Sequence, residues 1–160
     1  MHIRLMTHAD LEGASQVHRT AFVRQKQSFE WLECNLNAAP RFINIVAEEH
    51  GEILGYIIWM QKSGFRPEAV LELEQLAVAE HAQGKGIGKR LITQSLPIVK
   101  QQLANNGSTL KHVLVTTRAD NFAQQLYKQT LDAEIETTIS NLYSADEVLM
   151  IARNVGERIC

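Results

Sequence analysis

Residues 73–92 read LEQLAVAEHAQGKGIGKRLI, and the division of this stretch decides the fold. Its first part closes a strand running from Val70 to Ala79. Its middle sets Gly84, Gly86 and Gly88 at alternate positions among Gln83, Lys85, Lys89 and Arg90. After the last glycine, Leu91, Ile92, Leu96, Val99 and Leu103 recur at helical spacing. Glycines let a backbone approach a ligand closely, and a helix start adds unpaired N–H donors and the positive end of its dipole. Strand, glycine turn and helix together make a site for a pyrophosphate-sized anion, with Lys85, Lys89 or Arg90 adding charge. The competing reading is a solvated turn that only caps the helix. Two common phosphate motifs fail. The dinucleotide pattern G-x-G-x-x-G needs glycine where Lys89 or Leu91 stands, and the nucleotide-triphosphate loop needs glycine and Ser or Thr where Gln83 and Arg90 stand.

The rest of the composition narrows the class. The 160 residues are 45% hydrophobic and 21% charged, with a formal net charge of −2. That length suits one domain with a real core, so residues 1–160 are read as a single unit. The charge balance speaks against a nucleic-acid binder, which is usually basic. No apolar run reaches the roughly 20 residues of a membrane span, and the opening MHIRLMTHAD lacks the apolar core of a signal peptide. A cytoplasmic location is the expectation. Cys34 and Cys160 offer neither a disulfide framework nor metal spacing. The histidines His2, His8, His18, His50, His81 and His112 show no ligand spacing either, so no metal is expected.

Reading outward, His2 to Met6 is a first strand. Thr7 and Asp10 stand in capping-box relation before a helix carrying Leu11, Ala14, Val17, Ala21 and Phe22. A second helix spans Ser28 to Asn37. Phe42 to Glu48 and Ile53 to Gln61 form a hairpin around His50-Gly51. Asn105-Asn106-Gly107 ends the long helix, inside which Pro97 predicts a bend or a break. His112 to Thr117 is a strand, Asn121 to Gln129 a helix, and Ile135 to Ile139 and Val148 to Ala152 the last two strands. The fold class is α/β, one mixed and mostly antiparallel sheet flanked by helices.

With these elements in place, Leu73 to Ile92 resembles the acetyl-CoA signature of the GCN5-related N-acetyltransferase (GNAT) superfamily. That signature is a strand ending in an apolar-x-Val step, then [Q/R]-x-x-G-x-[G/A] opening a helix, here Val78, Gln83, Gly86 and Gly88. Asn121, Ala123, Leu126 and Tyr127 resemble the family's N-x-x-A-x-x-L-Y helix, with the first spacing shortened by one. Element order agrees from about Ile3 to Ala152. The chain departs after the tyrosine, where Asp132-Ala133 stands in place of a Gly-Phe pair, and residues before 41 carry no family motif.

The resemblance implies the acyl-CoA N-acyltransferase fold, acetyl-CoA as co-substrate, and acetyl transfer to a primary amine by direct attack in a ternary complex. Carried over residue by residue, Gln83, Gly84, Lys85, Gly86, Ile87, Gly88 and Lys89 would hold the pyrophosphate. Leu76, Ala77 and Val78 would line the pantetheine arm, the Leu76 N–H would face the thioester carbonyl, and Asn121 would bond the arm. Tyr127 would be the general acid for the departing thiolate.

An amine of pKa near 10 must lose a proton before it attacks. Glu72 and Glu74, two residues apart on the strand, point to one face about 6–7 Å apart, a face that also carries Val70, Leu76 and Val78. A carboxylate among apolar residues and beside another carboxylate has a raised pKa, which suits a general base. Relatives use either position as base, and Glu74 is slightly favoured here as nearer Leu76. Two other readings stay open: the pair attracts a cationic amine while water takes the proton, or both face solvent. Trp31 and Trp59 either pack in the core or line the acceptor pocket. The acceptor is expected to be a small amine, polyamine-like, or a peptide amine, and a homodimer is open because sheet-edge dimers are common in the family. The alternative function is an acyl-CoA-binding module without turnover, acting as sensor or scaffold.

Overall fold

The computed structural model describes residues 1–157; Cys160 lies outside them. Its strands are β1 (His2–Leu5), β2 (Phe42–Glu49), β3 (Glu52–Gln61), β4 (Glu68–Val78), β5 (Thr109–Arg118), β6 (Glu134–Ile139) and β7 (Glu147–Ala152). Its helices are α1 (Leu11–Ala21), α2 (Ser28–Asn37), α3 (Ile87–Asn105) and α4 (Ala123–Leu131). The seven strands form one sheet in the order β1-β2-β3-β4-β5-β7-β6. Every neighbouring pair is antiparallel except β4 and β5.

The β2–β3 hairpin closes on His50 and Gly51, with φ of 52° and 83°. Two positive φ values in a two-residue loop match the right-handed twist of the strands it joins. The Asp10 carboxylate accepts from the Thr7 N–H at 2.8 Å and holds Arg4 through two bonds of 2.7 and 2.9 Å. The expected capping contact therefore also ties α1 to β1.

The sheet divides the core in two. Trp59 on β3 is fully buried and donates its indole N–H to Ser95 of α3 at 3.0 Å. Tyr56, on the opposite face of the same strand, reaches the α1/α2 side. α3 spans β1 to β5 and packs against α4, while α1 and α2 cover β2, β3 and β4. No described helix is long and apolar enough to cross a membrane.

Two local departures are accommodated. α3 runs through Pro97 without a break. Pro97 removes the bond to the Thr93 carbonyl, but both residues are exposed, so water can satisfy that oxygen. The Asp132-Ala133 departure is absorbed at the end of α4. Asp132 takes the left-handed conformation at φ 58°, in the place of the family's glycine, and donates its N–H to the Lys128 carbonyl. Ala133 is buried where the larger residue would stand. The departure leaves the turn intact, and with it goes the one sequence hint of a binding module without turnover.

Candidate active site

β4 follows β3 along its length, but its pairing with β5 stops at Glu72, opposite Leu114. The cause lies one step further on. Ile58 and Trp59, consecutive on β3, face Gln75 and Leu73, so Glu74 is an extra residue without a cross-strand partner. A bulge of this kind bends and twists its strand. Past it, β4 leaves β5, which stays paired to β7 as far as Arg118. A wedge opens between the two parallel strands.

The β4 edge of this wedge carries free donors. The Ala79 N–H bonds the Leu54 carbonyl on β3 at 2.8 Å. Peptide groups alternate in direction along a strand, so Ala77 also turns to β3, while Leu76 and Val78 turn their N–H groups into the wedge. Leu76 and Val78 thus offer backbone donors to the wedge, whereas the Ala77 backbone is committed to Tyr56 across β3.

The bulge also redistributes the side chains. Glu72 lies opposite Met60, on the α1/α2 face, whereas Leu76 and Val78 lie opposite Ile57 and Gly55, on the α3 face. The single face expected to carry Glu72, Glu74, Leu76 and Val78 together is therefore split at Glu74, because one added residue reverses the alternation.

At the end of β4, Gly84 and Gly86 have φ of 77° and 76°, values that favour glycine. Gly86 caps α3, whose first internal bond runs from the Arg90 N–H to the Gly86 carbonyl at 3.0 Å. The N–H groups of Ile87, Gly88 and Lys89 stay outside the helix ladder. Lys85, Lys89 and Arg90 are exposed around them. A Cβ at Gly88 would meet Leu126 of α4 at 3.7 Å, Val78 at 3.9 Å and Leu76 at 4.0 Å. Gly88 thus looks into the wedge between β4 and α4, and the donor set fits the pyrophosphate of CoA. Gln83 instead bends back, its side chain donating to the Val78 carbonyl at 3.3 Å and its N–H to Glu80.

The ionisable groups fall on the two sides of the opening. Glu72 pairs with Lys62 at 3.2 Å. Glu74 is half-buried and forms no ion pair among the described residues; burial raises its pKa, the Glu72 charge raises it further, and Lys62 pulls it back. On the α3/α4 side, Tyr127 is buried, with its hydroxyl pushed up to about 12 by desolvation. Asn121 uses its side-chain oxygen to accept from the Ala123 N–H at 2.8 Å, which starts α4 and leaves its amide N–H groups for a ligand.

Three features were not foreseen. Gln75, beside Glu74, accepts from Tyr56 (2.7 Å) and Trp31 (3.1 Å) and donates to Gln25 (3.2 Å). Gln25 in turn accepts from His18, whose other ring nitrogen meets Ser28 at 2.7 Å. This chain ties the α1–α2 segment to the bulge. It also separates the tryptophans: Trp59 belongs to the core, while Trp31 is 37% exposed and bonded to Gln75. A polar residue in the apolar series Leu71, Leu73, Ala77 was the available signal. Glu147, opposite Arg118 on β7, is buried with one carboxylate oxygen unpartnered, and burial raises its pKa. It shares a face with Thr116 and Leu114, hence with Glu72. The third is Lys62, which only the β3–β4 register brings to Glu72.

A cavity of about 870 Å³ lies apart from the wedge, between α1, the β2–β3 turn and Ala79–His81. Two pairs line it, Arg4 with Asp10 and His81 Nε2 with Glu52 at 2.8 Å. No cluster of His, Cys, Asp and Glu suited to a metal occurs among the described residues.

Solved structures share this architecture. An aminoglycoside 6'-N-acetyltransferase complexed with coenzyme A superposes with a TM-score of 0.77 at 16% identity, covering 100% of both chains. The ribosomal-protein-S18-alanine N-acetyltransferase from Escherichia coli gives 0.73 at 20%, covering 99% of this chain and 98% of the other. Arabidopsis thaliana NAA60, solved with a bisubstrate analogue, gives 0.73 at 20%, covering 95% and 98%. No curated protein sequence matches. The sequence model described as Acetyltransferase (GNAT) family matches residues 8–132. With the opened strand pair and the glycine turn already in place, this match across most of the chain makes the protein a member of the GNAT acetyltransferase family, with acetyl-CoA as co-substrate.

Proposed function

We propose that this N-acetyltransferase acts on a cationic primary amine, either small and polyamine-like or at a peptide terminus, by direct attack within a ternary complex. The observation that supports this most is the bulge at Glu74. It sets a half-buried carboxylate on the α1/α2 face, opens the strand edge at Leu76, and leaves Tyr127 on the opposite side.

Acetyl-CoA supplies the acetyl thioester, whose carbonyl the amine attacks. Glu74 takes the proton that the ammonium must lose; burial and the Glu72 charge raise its pKa toward that of the amine. Glu72, held by Lys62, shapes the pKa of Glu74. The Leu76 N–H points into the wedge and stabilises charge on the carbonyl oxygen, a contribution of roughly 3–4 kcal/mol for one such donor. Tyr127 donates a hydrogen bond to the departing sulfur. As the candidate general acid it passes that proton to the thiolate and is reprotonated from solvent; burial raises its pKa.

Glu72 is paired with Lys62 and Glu147 lies opposite Arg118, so the carboxylate that favours a cationic acceptor is Glu74. One structural neighbour is named for aminoglycosides and another for an alanine of ribosomal protein S18, and both carry amines. Thiol release from acetyl-CoA, measured across polyamines, aminoglycosides and peptides with free N-termini, tests the reading. Turnover confined to one cationic group and lost in Glu74→Gln is expected. Preference for neutral, uncharged acceptors would overturn it.

A further inference from the structure

We infer that Phe122 is the platform for the purine ring of CoA; the inference rests on the wedge being the cofactor site. Phe122 is 90% exposed, the most exposed large apolar residue among those described. Nothing in the fold accounts for it. Its position does point to a ligand. Phe122 has helical φ/ψ and precedes Leu126 by four residues, so the two share a flank of α4. Leu126 is the α4 residue that meets Gly88 at the start of α3.

β4 and β5 are parallel, so α3 and α4, which follow them, start at the same end of the sheet. Moving from Leu126 back to Phe122 leads outward from that end, by about 6 Å for one turn. A CoA with its arm between the strands and its pyrophosphate at Gly84–Lys89 would carry its nucleoside out of the wedge in that direction. Phe122 stands one turn beyond the phosphate site, on the flank facing it.

The backbone beneath it is fixed. Asn121 accepts from Ala123, and the Gln124 side chain donates to the Arg118 and Ala119 carbonyls at 3.2 and 2.8 Å. An aromatic ring on a rigid support loses little entropy when a base stacks on it. Stacking on such a ring changes affinity by about five- to 150-fold when the ring is removed.

Calorimetry separates this inference from the reading beneath it. The ligands are acetyl-CoA and acetyl-4'-phosphopantetheine, which lacks the adenosine part, titrated into wild type, Phe122→Ala and Phe122→Trp. Phe122→Ala is expected to weaken acetyl-CoA by at least fivefold, leave the truncated ligand unchanged, and recover with Trp. Equal binding of acetyl-CoA by wild type and Phe122→Ala overturns the platform, as does equal loss of both ligands. Absence of acetyl-CoA binding to wild type overturns the wedge assignment itself. The side chain is exposed, so the alanine variant keeps the fold.

Discussion

Glu74→Gln removes the proposed base while keeping its size. General base catalysis contributes roughly 10²–10⁴-fold, or about 3–5 kcal/mol of barrier, and kcat/KM should fall by that factor. Two neighbours make a sharper test. Burial raises the Glu74 pKa, Glu72 adds to the rise, and Lys62 opposes it. The acid limb of the pH–rate profile should therefore lie above the ordinary glutamate range. Glu72→Gln removes a like charge, lowers the Glu74 pKa and moves the limb to lower pH. Lys62→Met removes the opposing charge and moves it to higher pH. The assay is thiol release from acetyl-CoA against pH, with one acceptor throughout so that its own titration cancels. Opposite displacements, with the limb lost in Glu74→Gln, are expected. A limb that stays put in both neighbours, or survives in Glu74→Gln, would refute the assignment of Glu74 as the titrating base.

Tyr127→Phe should lower kcat roughly 10²–10³-fold with the Kd for acetyl-CoA kept, since the ring stays in place; an unchanged kcat would remove the hydroxyl from the reaction. Gly55→Ala would set a Cβ 2.7 Å from the Ala77 carbonyl oxygen and 3.1 Å from Leu91. Overpacking of this kind costs about 1–3 kcal/mol, a Tm decrease of about 2–12 °C for a chain of this length, read by calorimetry. Arg4 and Thr7 hold the Asp10 carboxyl below its usual value, so its contribution is present above the unfolded-state pKa and lost as pH falls through the folded one. Asp10→Asn should cost about 1 kcal/mol near neutrality, a charged hydrogen bond discounted for the exposure of Arg4. Thermal melts should show that difference vanish in strong acid.

The parts of the fold written in local pattern were legible. The hairpin at His50-Gly51, the glycine turn and the order of elements depend on neighbours in sequence, and each stands where expected. What depends on pairing was not legible. Alternation along β4 put Glu72, Glu74, Leu76 and Val78 on one face, because a bulge shows only against the β3 register. The same register brings Lys62 to Glu72 and gives the two carboxylates different surroundings. Gln75 carries no local motif, and only the packed α1–α2 segment makes it the centre of a polar chain. Pro97 predicted a bend or a break from backbone chemistry alone; α3 continues through it, with Thr93 and Pro97 both exposed.

The claim at the centre is that acetyl-CoA lies on the glycine turn and passes Gly88 into the wedge. Gly88 is the second residue of α3, its backbone is outside the left-handed region, and a Cβ there makes only ordinary contacts. An aspartate in the first turn favours the helix while opposing a phosphate anion at the same place. Calorimetric titration of acetyl-CoA into wild type and Gly88→Asp, with melting temperatures recorded alongside, tests this directly. The account predicts a Kd at least tenfold weaker in the variant with Tm unchanged or raised; equal affinity in the two proteins would contradict it.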